Sequence, residues 1–147
     1  VGHREGDGLR AGAVLETCVY AADLDAAERF YTTALGLERI ARVEGRHVFF
    51  RCGQGVFLVF NPGQTSEPAG EIPAHGARGP GHVAFAVRDA ELDGWRARLE
   101  GMGVEVEAEV TWPGGGRSLY FRDPAGNSVE LGTPRIWSLD EDEVLRG

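Results

Sequence analysis

From Val14 to Tyr20 the side chains divide with a period of two, Val14, Glu16, Cys18 and Tyr20 on one face and Leu15, Thr17 and Val19 on the other, which predicts a strand. Beyond Asp23 the spacing becomes helical. Leu24, Ala27, Tyr31, Ala34 and Leu35 form one stripe, with Asp23 positioned to cap its start and Gly36 to end it in a left-handed conformation. The succession returns in the second half, where GHVAFAV over Gly81 to Val87 predicts a strand. Leu92, Trp95, Leu99 and Met102 then predict the buried stripe of a helix capped by Asp89, weakened by Gly94 and ended at Gly101 or Gly103. Sliding the chain over itself by 66 residues brings Glu16 onto His82 and Asp23 onto Asp89. Sliding by 71 brings Phe50 onto Phe121, Arg51 onto Arg122 and Gly55 onto Gly126. The chain reads as one unit, strand, helix and three strands, written twice.

The best-specified local feature is Asp123-Pro124-Ala125-Gly126, with Asp, Pro and Gly where a type I turn favours them. It predicts a hairpin of strands near Arg117 to Arg122 and Asn127 to Leu131. Tyr120 then comes close to Glu130 if both project from one face. The stretch from Asn61 to Pro80, containing NPGQTSEPAG, reads as a mobile crossover. The expected organisation is one domain over 13–136, with modules at about 13–62 and 80–134 joined by a loop over 63–79. Residues 1–12 are expected to be a flexible N-terminus and 137–147 a loose acidic tail.

Composition narrows the classes. A chain of 147 residues with 42% hydrophobic and 26% charged residues suits a single globular domain with a real core. A net charge of -8 argues against nucleic-acid binding, which needs Lys and Arg to neutralise phosphates; it is compatible with a cationic ligand and reads first as a property of a soluble surface. No apolar run approaches the roughly 20 residues that span a bilayer, and the N-terminal residues lack the apolar core of a signal peptide, so a cytoplasmic protein without membrane contact is expected. Cys18 and Cys52 make neither a disulfide framework nor a short-spaced zinc motif and read as reduced core residues.

Two strands each deliver one potential metal ligand, His82 in GHVAFAV and Glu130 in YFRDPAGNSVEL, and Glu16 stands at the repeat position of His82. These segments, together with DLDAAERFYTTALGLE, resemble the vicinal oxygen chelate superfamily of glyoxalases, bleomycin-resistance proteins and extradiol dioxygenases, over nearly all of Val14 to Pro134. The resemblance implies an α+β fold in which two βαβββ modules form a cupped, mostly antiparallel sheet with helices on its outer face, around a divalent metal held within one chain or across a homodimer. It implies Glu16, His82 and Glu130 as metal ligands. The remaining ligand position of four-ligand members falls on Leu58 or Val59, both apolar.

A set of one imidazole and two carboxylates suits Mn, Fe, Ni or Zn, would neutralise a divalent ion and favours a Lewis-acid role; the two-His-one-carboxylate triad of oxygen-activating iron is absent. The alternative is a buried, hydrogen-bonded His82 with Glu16 and Glu130 lining a polar pocket without metal. Tyr120 precedes Glu130 by ten residues, where extradiol dioxygenases carry an active-site tyrosine, so Glu130 and Tyr120 are the candidate catalytic groups; Tyr120 as plain packing is the other reading. Further substrate contacts are assigned to His47, Trp112 and Arg117, with His75 reaching in from the crossover. Each has a structural alternative: an exposed strand histidine, a hairpin loop in TWPGGGR, a surface arginine. Three functions follow: a metal-dependent lyase, isomerase or thiol transferase acting on a small oxygen-chelating metabolite or antibiotic; a metal-free drug- or metabolite-binding protein; an extradiol-type dioxygenase.

Overall fold

The computed structural model describes residues 8–68 and 70–146; of the N-terminal segment expected to be flexible, residues 1–7 lie outside the described residues. The first module runs β1 (Glu16–Tyr20), α1 (Leu24–Thr33), β2 (Glu38–Val43), β3 (His47–Cys52) and β4 (Gly55–Phe60). After the short α2 (Pro62–Thr65), the second runs β5 (His82–Ala86), α3 (Leu92–Gly101), β6 (Ala108–Thr111), β7 (Arg117–Arg122) and β8 (Ser128–Gly132), followed by α4 (Glu141–Val144). Each module forms a four-stranded sheet, ordered β1-β4-β3-β2 and β5-β8-β7-β6. In each, only the first strand pairs in parallel, β1 with β4 and β5 with β8. This is the expected α+β pair of βαβββ modules, its sheets not closed into a barrel.

Alternation along the strands decides what faces what. Val83, Leu119, Phe121, Val129 and Leu131 are buried in one cluster with Leu24, Ala27, Phe30 and Tyr31 of α1 and Leu92 and Leu99 of α3. Their neighbours His82, Ser118, Tyr120 and Glu130 therefore project from the opposite face of the second sheet. Asp23 caps α1 as expected, its carboxylate accepting from the Ala26 N–H at 3.0 Å. Asp89 does not cap α3. It opens a 3-10 turn, Asp89–Glu91, and its carboxylate is taken by the Arg117 Nε at 3.1 Å. Met102 follows the last residue of α3 and is exposed, so the buried stripe ends at Leu99.

The crossover is not loop throughout. Asn61 caps α2, and the His75 N–H donates to the Thr65 carbonyl at 2.8 Å. Nor is the acidic tail wholly without structure: Asp140 caps α4, Glu141 accepts from the Asp89 N–H at 2.8 Å, and Arg88 pairs with Asp142.

The Asp-Pro-Ala-Gly-Asn hairpin also joins the modules. Buried Asp123 accepts from Tyr31 Oη of α1 at 2.7 Å, and from the Ala125 and Asn127 N–H groups at 2.9 Å each. Asn127 Nδ2 donates to Asp123 at 2.9 Å and to the Tyr20 carbonyl at 3.1 Å, while its Oδ1 accepts from the Gly81 N–H at 2.7 Å. One turn thus sets the end of β1 and the start of β5 in fixed relation. Burial, and then the Asp123 carboxylate, push the Tyr31 phenol far above its ordinary 10.0. Tyr31→Phe should cost about 1.5–3 kcal/mol in urea unfolding, the worth of a hydrogen bond to a charged group. Because the folded-state value is raised, the Tyr31 contribution is complete below the unfolded value of about 10 and declines as pH rises toward the folded one. Wild-type stability should therefore fall more steeply above pH 10 than that of Tyr31→Phe; parallel curves would show that this phenol is not held neutral.

Candidate metal-binding site

His82 opens β5 opposite Ser128, with its Nδ1 3.1 Å from the Ser128 carbonyl oxygen. A carbonyl only accepts, so this contact assigns the ring proton to Nδ1 and leaves the lone pair on Nε2 in the neutral ring. That Nε2 lies 3.3 Å from Glu130 Oε1. The two groups differ in setting: the His82 side chain is 52% exposed and that of Glu130 only 9%. Glu130 Oε2 accepts from buried Ser118 Oγ at 2.6 Å, and Ser118 Oγ accepts from Trp112 Nε1 at 3.0 Å.

Tyr120 stands directly across from Glu130 in the β7–β8 register, and its ring lies 6.4 Å from that of His82 at an interplanar angle of 24°. Burial first, and the Glu130 carboxylate second, raise the Tyr120 phenol above its ordinary value, keeping it a neutral hydrogen-bond donor. Two lone pairs, on His82 Nε2 and Glu130 Oε1, converge on one space. Such a pair calls for a positive charge between or beside them, a proton or a metal cation, and the nitrogen-oxygen donor set fits a divalent first-row ion.

The other candidates fall elsewhere. Glu16 occupies in β1 the place His82 occupies in β5, is exposed, and belongs to the first sheet. Among the described residues no group of three or more His, Cys, Asp or Glu side chains comes together to hold a metal. His47 stacks on Phe49 with centroids 3.9 Å apart and contacts Arg46 at 2.9 Å; burial, then Arg46, lower its imidazole. His75 binds Tyr20 Oη at 2.7 Å and meets Phe60 edge-on. Arg117 shares the face of β7 that carries Leu119 and Phe121 and is tied to Asp89, away from Tyr120 and Glu130.

The register also settles which residue stands in the place of Glu130 in the first module. The β3–β4 hairpin closes between Cys52 and Gly55, whereas the β7–β8 turn runs from Asp123 to Asn127 and is one residue longer. Cys18 pairs with Leu58 as Ala84 pairs with Glu130, so the counterpart is buried Leu58 and not Val59. Reasoning from sequence missed the contact of Ser118 with Glu130 and the Asp123–Asn127 hub, neither of which leaves a periodic sign in the chain.

Two βαβββ modules, with an imidazole and a carboxylate converging on one open sheet face, define a paired-module protein with a candidate metal centre. The chain belongs to the Glyoxalase/Bleomycin resistance protein/Dioxygenase superfamily, whose model matches residues 13–131. Its structure is similar to that of lactoylglutathione lyase from Agrobacterium tumefaciens, with a TM-score of 0.84, 45% identity, and coverage of 88% of this chain and 98% of that one. In sequence it is similar to the metallothiol transferase FosB of Bacillus licheniformis, 33% identical over 57 residues. That match takes in 38% of this chain and spans only 37% of the length of that curated relative. The fosfomycin resistance protein FosX of Mesorhizobium loti shares the fold, with a TM-score of 0.59 at 24% identity over 85% of this chain and 93% of that one. No helix among the described residues is long and apolar enough to cross a membrane.

Proposed function

We propose that this chain is a metal-dependent enzyme of the lyase, isomerase or thiol-transferase kind, a cytoplasmic homodimer acting on a small oxygen-chelating substrate. In this reading His82 and Glu130 of one chain and Glu16 of a second copy hold a divalent ion, manganese, iron, nickel or zinc. The observation that carries it is the convergence of His82 Nε2 and Glu130 Oε1 at 3.3 Å. The names of two relatives, a lactoylglutathione lyase and a metallothiol transferase, favour a thiol-bearing substrate or co-substrate.

A bound divalent ion would supply Lewis acidity toward a pair of substrate oxygens. The chain supplies the rest. Tyr120, held neutral, donates a hydrogen bond to a substrate oxygen, and a carboxylate of the site moves the proton. The second copy is favoured because exposed Glu16 has the repeat position of His82 in the other sheet, and because Val14 and Leu15 beside it are 83% and 76% exposed.

The test is elemental analysis of protein purified without chelator, with turnover of lactoylglutathione, or consumption of a free thiol, followed under added manganese, nickel or zinc. Protein that stays metal-free and gains no turnover from any of them sinks the reading. The dimer has its own test. Mixing Glu16→Ala with His82→Ala should form heterodimers with one complete site and recover part of the metal binding that each variant lacks alone. A monomer in sedimentation at micromolar concentration, or mixing without recovery, rules out the shared site.

One observation favours a second reading, a metal-free binding protein. The first module presents Leu58 where the second has Glu130, beside an aromatic group of Tyr20, His47, Phe49, Phe60 and His75. Ligand-induced thermal shifts unchanged by chelator would select it.

A further inference from the structure

We propose that Ser118, oriented by the Trp112 indole and given room by Gly132, is a positioning residue that holds one oxygen of Glu130 and leaves only the other free toward His82. The proposal rests on the reading of Glu130 as a ligand and assigns roles to three residues outside the ligand set.

The direction of the hydrogen bonds is fixed by chemistry. An indole nitrogen only donates and an ionised carboxylate only accepts, so the single hydroxyl proton of Ser118 goes to Glu130 Oε2 and a lone pair of the same oxygen receives the Trp112 N–H. Ser118 cannot turn toward another partner without leaving both neighbours short. It is fully buried, and water does not replace it.

Trp112 is itself fixed by its hairpin, donating its N–H to the Gly116 carbonyl at 2.8 Å and accepting from the Gly115 N–H at 2.9 Å. Gly132 pairs with Ser118 in the β7–β8 register. A Cβ there would lie 3.1 Å from Glu130 Oε2 and 3.0 Å from Ile136 Cδ1, crowding the held oxygen against the chain behind it. The tether leaves Oε1, the oxygen nearest His82, as the one available.

The repeat supplies an internal comparison. In the first module the places of Ser118 and Gly132 are taken by His47 and Phe60, which pair in the same register. There the place of Glu130 is Leu58. The module without the carboxylate also lacks the hydroxyl and the glycine, as expected if these serve the carboxylate and not the fold.

Isothermal titration of apo protein with manganese(II) tests the role. Ser118→Ala and Trp112→Phe should each weaken binding about tenfold to a hundredfold, the usual effect of removing a ligand's outer partner, while Ser118→Thr, which keeps the hydroxyl, should restore it. Trp112→Phe keeps the ring's bulk and carries the test if Ser118→Ala does not fold. A second readout needs no metal. Glu130→Ala should move the Trp112 indole N–H resonance in wild-type background and leave it unmoved in Ser118→Ala. Unchanged manganese affinity in both relay variants of a protein that binds manganese overturns the proposal and leaves the metal reading standing. A wild type that binds no manganese but transmits the Glu130 change to Trp112 overturns the metal reading and keeps the tether. Loss of that transmission in wild type overturns the tether itself.

Discussion

His82→Ala and Glu130→Ala should each remove most of the divalent-metal binding proposed for this protein, lowering affinity by more than the roughly hundredfold at which outer-sphere changes level off. The two variants reach that result with different side effects, which makes the pair informative. His82 is half exposed and its Nδ1 contact is to one carbonyl, so its loss should leave unfolding within about 0.5 kcal/mol of wild type. Glu130 is buried, and its removal leaves the Ser118 hydroxyl without an acceptor, at about 1–3 kcal/mol. Glu130→Gln separates charge from shape, since its amide oxygen can still accept from Ser118 while the anionic donor is gone. Metal binding should therefore fall in Glu130→Gln with stability largely retained. Full metal occupancy in both alanine variants would show that the ligands have been misassigned.

The periodic parts of this chain were legible because burial imprints its period on the sequence locally. Val19, Leu24, Ala27 and Tyr31 are buried where alternation and helical spacing put them. The strand that His82 opens was legible through the repeat, whereas the first-module counterpart of Glu130 is apolar Leu58, so the repeat gave no sign of that carboxylate. Polar partners without a period were not legible either. Tyr31 and Asp123 meet across 92 residues, and nothing in DPAG beyond its turn chemistry points to a helix of the other module. Asp89 reads as a cap by residue type, yet Arg117 competes for its carboxylate from a strand 28 residues away. The choice between Leu58 and Val59 waited on the length of one turn, which strand pairing alone fixes. Trp112 reads from the sequence as a substrate contact or as part of a hairpin loop; nothing in TWPGGGR shows that its indole nitrogen donates to Ser118.

Glu16 should behave as an anionic ligand, and its replacements distinguish that role from the others open to it. Its place in β1 matches that of His82 in β5, and its carboxylate stands exposed at an edge strand instead of being tied down as Glu130 is. If it completes the site, Glu16→Gln should weaken manganese binding sharply, because a neutral amide oxygen replaces a charged donor to a hard cation. Glu16→His should retain binding and shift preference from manganese toward nickel and zinc, which favour imidazole. A base beside a two-ligand centre would behave otherwise: Glu16→Gln would spare affinity and lower turnover. In a metal-free binding protein neither variant would change anything in a metal titration. Isothermal titration of the apo protein with manganese, nickel and zinc, run on wild type and both variants, separates the three. Equal affinities for wild type and Glu16→Gln would remove Glu16 from the ligand set.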